Sequence, residues 1–476
     1  MQMARWLAVL PLVAVLGSAE SVNISEQYTG TAQKLIGAAL ADDEGLKRLE
    51  YLCDGIGNRL SGSASLERAI EWSAGEMRNA GLDNVSTPPV KVPHWVRGKE
   101  SALMVAPIEK PLTMIGLGMS VGTPSAGITA DVVVVSDFDR LASLGHDQVA
   151  GKIVLFNPAW RGYGATVPYR ISGASRAGQL GALAVLVRSM TNFSLQTPHT
   201  GTLEYAEDAP KIPAAALSLE DAAMIQRLVD GGTRVRVHLT MEAHREADAD
   251  SHNVVGEIRG REKPQEVVVL GGHVDSWDVG QGANDDGSGI MATLEAVALI
   301  KKLGLQPRRT IRVVFWVNEE NGGAGGRAYR EMIGGKIANQ VAAIEMDGGA
   351  EKPVGFGFGN GGPEGFANRH GSGPSHEQQV SPASFARVVE IGKLLKSIEG
   401  GAISQGGGGS DIAPLLADGV PGFGVRTVGE HYFDWHHTDA DSFDKIVPRE
   451  FQLNVAALAV LSYVLADMPE RLNEMK

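Results

Sequence analysis

The sequence predicts an α/β protein built on a mainly parallel, mixed sheet flanked by helices, with a smaller β-rich unit inserted near its middle. From about residue 250, short runs of β-branched residues alternate with amphipathic stretches of helical length, the pattern of a parallel sheet with helices on both faces. The later strand-like runs end in clusters of His, Asp or Glu, and open α/β sheets bind ligands at the carboxyl ends of their strands. Between 124 and 245, short strand-like runs recur with few such clusters, which marks that region as a separate, mainly structural unit.

Composition narrows the possibilities. The chain has 476 residues, room for roughly two or three domains. Its apolar content of 43% and charged content of 21% are those of a globular protein. A formal net charge of −13 argues against nucleic acid or an anionic membrane surface as partner. Cys53 is the only cysteine, so any metal must be held by His and carboxylate groups. Cys53 itself, in KRLEYLCDG at a predicted helix end, reads as a core thiol and not a nucleophile.

Taken in order, Arg5, the apolar run 6–16 and Gly17-Ser18-Ala19 read as an export signal over residues 1–19. Its core is too short to span a bilayer, and no later segment approaches about 18 uninterrupted apolar residues. An exported protein, periplasmic or secreted and without a membrane span, is therefore expected. Residues 20–123 are assigned to the N-terminal part of the main domain. Helical spacing covers 24–41 and 66–80, a loop covers 55–62, and 90–107 and 111–118 are extended. The inserted unit, 124–245, has predicted strands at 130–135, 151–156, 182–187 and 233–239 and helices at 174–180 and 218–228. Its His199 and His238 read as surface or strand residues. The remaining region, 246–476, has predicted strands at 253–258, 267–270, 310–317, 341–346 and 422–426. Helices are predicted there at 289–303, 327–333, 384–398 and 450–466.

The chemistry centres on residues 267–289, VVVLGGHVDSWDVGQGANDDGSG, where a buried-strand run leads into His273, Asp275 and Asp285. Alone, that stretch is equally a strand-end loop with ordinary turn aspartates. Three further clusters change the balance: Asn318-Glu319-Glu320, Asp347 after 341–346, and the polar run 431–441. Carboxylates at buried strand ends are costly unless a cation compensates them, so a metal site is expected. His273, Asp285, Glu320, Asp347 and His437 make five N/O ligands. If Asp285 bridges, each of two ions receives a His, a carboxylate and the shared Asp, with a position left for water, which suits zinc. Two such ions can clamp a hydroxide and an attacked carbonyl. Glu319 is then placed as general base, and Asp275 as the carboxylate that orients the His273 imidazole.

The elements H-x-D (273–275), G-A-N-D-D-G-S-G (282–289), N-E-E (318–320), M-D-G (346–348) and H-H-T-x-x-D (436–441) resemble those of the M28 family of di-zinc metallopeptidases. The similarity continues through LSGSASLERAI (60–70), Pro93-His94-Trp95 and Pro198-His199-Thr200-Gly201, and so covers nearly the whole chain. The resemblance implies a zinc-exopeptidase fold with an inserted protease-associated domain, and two Zn²⁺ bridged by Asp285. One ion would be held by His273, Asp285 and Asp347, the other by Asp285, Glu320 and His437, with Glu319 as base. His437 is preferred to His436 because the family's ligand precedes a Ser or Thr; His436 would line the pocket. Asp286 would shape the turn and GGGGSD (406–411) would face substrate; Tyr432 and His431 are candidates for steadying the oxyanion, with the choice left open. The resembling mammalian proteins carry a propeptide after the signal, and whether residues 20–41 are removed in this chain is left open by the sequence. The N-x-S triplets at Asn23, Asn84 and Asn192 read as chance occurrences.

The implied activity is hydrolysis of unsubstituted dipeptides or release of N-terminal residues by a homodimeric enzyme acting on peptide substrates. A carboxypeptidase of the same fold would need a cation for the substrate carboxylate, and Arg426 is the nearby candidate. A non-catalytic binding protein would be signalled by loss of Glu319 or of one of the five ligands, and all six are present. A two-metal nucleotide or sugar hydrolase shares the ligands but not the wider resemblance.

Overall fold

The computed structural model describes residues 23–359 and 380–472; the expected signal at 1–19 lies outside them. The main sheet has eight strands, in spatial order Asp83–Ser86, Val254–Ile258, Arg309–Trp316, Lys263–His273, Gln340–Glu345, Gly422–Thr427, Pro353–Phe358 and Ala402–Gln405. Its centre is parallel: Lys263–His273 pairs with Arg309–Trp316 and Gln340–Glu345, and the latter with Gly422–Thr427. Val254–Ile258 and Pro353–Phe358 run antiparallel to their inner neighbours, so the sheet is mixed, as predicted.

Central strands read as unbroken apolar runs because both faces are covered. Val268 and Leu270 join a core with helices Ile24–Ala39, Ser288–Lys302 and Pro448–Asp467, whereas Val267 and Val269 face Tyr329, Ile333 and Leu415 on the other side. Pro448–Asp467 is long and apolar enough to cross a membrane, yet 78% of its apolar stretch is buried inside the protein. It packs on Ser288–Lys302 and on Ile24–Ala39, so its hydropathy is that of a core helix.

A second eight-stranded sheet lies between two short ribbons, Trp95–Val96 with His244–Arg245 and Pro89–Val92 with Ala249–His252, through which the chain leaves the main domain and returns. Ile128–Val135, Ile153–Phe156, Ala184–Arg188 and Ala214–Leu217 form its parallel part. The sheet also takes in Glu100–Ala106, Lys110–Leu112 and Met114–Gly116, which precede the start expected at 124. Glu100–Ala106 finds its partner in Arg236–Met241, too far along the chain for local pattern to reveal. The strand Pro353–Phe358 was likewise not expected, since glycines in PVGFGF mask its propensity.

Candidate active site

The expected ligands converge because three neighbouring parallel strands end together and the segment after the short helix Tyr432–Trp435 packs against them. Lys263–His273 finishes in Gly271 and Gly272. A Cβ on Gly271 would stand 1.8 Å from the Val314 carbonyl, and one on Gly272 2.0 Å from an Asp286 carboxylate oxygen, so only glycine permits this approach. His273 follows, with Nδ1 3.0 Å from the main-chain oxygen of Asp275 and Nε2 3.2 Å from Asp285 Oδ1. The same Nε2 lies 3.6 Å from Asp347 Oδ1, two residues beyond strand Gln340–Glu345.

Asp285 is fixed from behind. Asp441 accepts the Asn284 amide at 2.8 Å and the Asp285 amide at 3.1 Å. Asp286, joined to Asp285 by a cis peptide, accepts the amides of His273 (3.0 Å) and Gly289 (3.1 Å), tying the strand end to the first turn of Ser288–Lys302. That is the turn-shaping place expected of Asp286. The only signal of Asp441 in the sequence is its position as the last residue of H-H-T-x-x-D.

His437 approaches from the opposite side, its Nε2 3.2 Å from Asp285 Oδ2 and 3.0 Å from Glu320 Oε2. Its Nδ1 is 3.3 Å from the main-chain oxygen of Thr200, a residue of the second-sheet unit. His436 stacks on His437 with centroids 3.5 Å apart, and its Nε2 is 3.5 Å from Asp285 Oδ2. Both histidines therefore reach Asp285, and His437 is also paired with Glu320.

The Asp275 carboxylate is placed differently from its sequence assignment. It lies 3.8 Å from His273 Nδ1, beyond a hydrogen bond, and the ring is oriented instead by the Asp275 carbonyl. Its oxygens accept the amides of Glu319 (3.1 Å) and Glu320 (3.3 Å), holding the loop after Arg309–Trp316 in place. Arg59, fully buried, plays a matching part that its loop-like sequence did not reveal. It donates to the carbonyls of Val274, Gln281 and Gly282, bracing the loop between His273 and Asp285.

Burial pushes the Glu320 carboxyl up to about 7, with Asp285 adding to the effect, and raises Asp347 as well. Burial acts downward on His437, but the carboxylates of Glu320 and Asp285 outweigh it and hold the ring at about 10. His273 is raised well above its ordinary value in the same way, burial being outweighed by Asp285 and Asp347. Ligand atoms of His273, Asp285 and Asp347 lie within 4.8 Å of one another, as do those of Asp285, His436 and His437. Glu320 Oε1 is buried with no hydrogen-bond donor among the described residues. Buried N/O donors with acceptors in excess fit a divalent cation of zinc's type.

A cavity of about 300 Å³ adjoins this cluster, lined by Asp347, Glu345, residues 406–409, Arg426 and Tyr432. Burial, then the charges of Asp285 and Asp347, raises the Tyr432 hydroxyl well above its ordinary value, so it keeps its proton. His431, the other oxyanion candidate, is 60% exposed and hydrogen-bonded to Asp434 at 2.9 Å, away from the cavity lining. Cys53 is buried in the core, where burial pushes its thiol up to about 12. His238 sits on strand Arg236–Met241 as expected, whereas His199 is only 1% exposed and no surface residue, because its loop is packed under His437.

Fold and cluster together define a metal-dependent hydrolase of the α/β class. The chain belongs to peptidase family M28, whose profile matches residues 253–462. Carboxypeptidase Q of Bos taurus is 41% identical over 450 residues, covering 94% of this chain and 90% of that protein. The crystal structure of a peptidase M28 precursor from Shewanella amazonensis SB2B is 31% identical, with a TM-score of 0.88 over 95% of this chain and 99% of that one. A zinc aminopeptidase from Bacillus subtilis shares the fold at 19% identity, with a TM-score of 0.65 over 91% and 96% of the two chains. The protein is thus an M28 metallopeptidase of α/β architecture.

Proposed function

We propose that this metallopeptidase is an exported di-zinc exopeptidase that hydrolyses unsubstituted dipeptides or releases N-terminal residues from peptides. The observation that carries the reading is the position of Asp285, with one carboxylate oxygen toward His273 and the other toward His437. In this reading His273, Asp285 and Asp347 hold one zinc, and Asp285, Glu320 and His437 the other. Bound there, the ions would supply Lewis acidity to the scissile carbonyl and acidify water at neutral pH.

The chain's own residues do the rest. The Asp275 carbonyl accepts a hydrogen bond from the Nδ1–H of His273, which leaves the Nε2 lone pair for a metal, and the Thr200 carbonyl does the same for His437. Glu319, held by Asp275 through its amide, accepts the proton of the attacking water and delivers it to the leaving amine. The Tyr432 hydroxyl, kept protonated, donates to the developing oxyanion. Residues 1–19 serve as the export signal, the second-sheet unit is a protease-associated domain, and the enzyme works as a homodimer.

A second reading, a carboxypeptidase of the same fold, is favoured by Arg426, a cation that lines the cavity beside Asp347. The deciding experiment follows product release from free dipeptides, N-blocked dipeptides and longer peptides on zinc-loaded protein, with and without chelator. Chelator-sensitive cleavage of free dipeptides with N-blocked ones spared supports the leading reading. Cleavage of the N-blocked set moves the assignment to carboxypeptidase, and silence across the panel with metal bound means a binding protein.

A further inference from the structure

The cavity beside Asp347 is made by small residues. Its floor is the main sheet, where Gly424 lies opposite Glu345, with Arg426 two residues further along the same strand and on the same face. Its roof is the glycine run 406–409, pinned where Glu345 accepts the amides of Asp411 (3.1 Å) and Ile412 (3.0 Å). A Cβ on Gly357 would stand 2.8 Å from Arg426 Nη2, and one on Gly407 2.0 Å from the Gly357 carbonyl. Side chains there would fill the space through which the guanidinium reaches the cavity.

Among the described residues lining this cavity, Arg426 is the one cation. Its Nη2 donates to the carbonyl of Gly406 at 2.7 Å and, weakly, to that of Gln405 at 3.4 Å. No carboxylate pairs with it among the described residues, and its buried Nε has no acceptor among them. A guanidinium carries five donors in a planar fork matched to a carboxylate, so most of this one's capacity is unspent. The remaining charged groups of the lining are acidic: Glu345 ends the strand Gln340–Glu345 and Asp347 lies two residues beyond it, at the metal cluster.

We infer that Arg426 is the specificity-determining residue of this cavity and binds a carboxylate of the substrate, either a C-terminal carboxylate or an acidic side chain next to the scissile bond. The inference rests on the exopeptidase reading above. The test compares zinc-loaded wild type with Arg426→Met and Arg426→Lys on Ala-Ala, Ala-Glu and Glu-Ala and on their C-terminal amides. In Arg426→Met, kcat/KM for substrates bearing the recognised carboxylate should fall about 10- to 100-fold, mainly through KM, as expected for loss of a charged hydrogen bond. Arg426→Lys should recover part of the loss, and substrates lacking that carboxylate should be unaffected. Sensitivity confined to the free C-terminus identifies the main-chain carboxylate; sensitivity that follows Glu identifies the side chain. A uniform loss on all substrates, or none, overturns the inference. Binding of glutarate and of glutaramide to chelated protein by calorimetry gives a readout free of catalysis. Glutarate should bind wild type at least about tenfold more tightly than Arg426→Met, and glutaramide should bind neither; equal glutarate affinities would overturn the role of Arg426. Peptide silence in wild type would instead sink the exopeptidase reading and leave the glutarate result standing.

Discussion

Thr200 and His437 hold each other across the boundary between the two sheets. The Thr200 amide donates to the His437 carbonyl at 3.0 Å, and the His437 ring Nδ1 lies 3.3 Å from the Thr200 carbonyl. Arg170, buried in the second-sheet unit, donates to the same Thr200 oxygen at 3.3 Å and to the Tyr163 hydroxyl at 3.0 Å. His437 has a left-handed φ of 63°, which these contacts sustain. The second-sheet unit thus forms one wall of the site.

Gly201 should be sensitive for this reason. Its φ is 130°, and a Cβ there would stand 2.2 Å from Arg170 Nη1. Gly201→Ala is expected to displace the Thr200 carbonyl and weaken metal binding about 10- to 100-fold, the usual cost of losing a partner that orients a ligand. Competition with a graded chelator measures it. Wild-type affinity in a folded Gly201→Ala protein would remove the second unit from the metal site.

Asp285→Ala tests the shared position. Because both oxygens of Asp285 face a histidine, its removal should release both metals together, read by metal analysis after dialysis. One ion retained at full occupancy would mean two independent sites.

Glu319→Gln separates base from ligand. The amide keeps the size of the side chain and leaves the main-chain bond to Asp275 intact. Metal content should stay unchanged while kcat falls about 10²–10⁴-fold. Full activity in that variant would exclude Glu319 as the base.

The main sheet and its strand-end clusters were legible because their signals are local: Val267, Val268, Val269 and Leu270 announce a buried strand, and His273 and Asp275 follow directly. What stayed hidden depends on distant partners. Arg59 looks like part of a loop until four carbonyls, from Gly57 and from 215 or more residues away, are seen around it. The Asp275 assignment erred because sequence adjacency to His273 suggested a ring contact, whereas the carboxylate points across to the Glu319–Glu320 amides. Thr200 lies in another sheet, and nothing in its own stretch signals a contact with His437.

Metal loading should release protons, and its stabilising effect should grow with pH. Without metal, the folded protein holds the His437 proton up to about pH 10 against an ordinary 6.5, and the Glu320 proton up to about 7 against 4.5. A raised pKa means the folded state binds more protons than the unfolded chain. The His437 contribution to metal-free stability is therefore full below 6.5 and lost as pH rises through about 10. That of Glu320 is full below 4.5 and lost through about 7. A metal needs the same groups deprotonated, so it competes with protons that leave as pH rises. The gap in Tm between metal-loaded and chelated protein is accordingly expected to widen from pH 6 to 8. Calorimetry in two buffers of different ionisation enthalpy should show more than one proton released per protein at pH 7. A gap that narrows over that range, or loading without proton release, would mean that His437 and Glu320 do not take part in holding the metal.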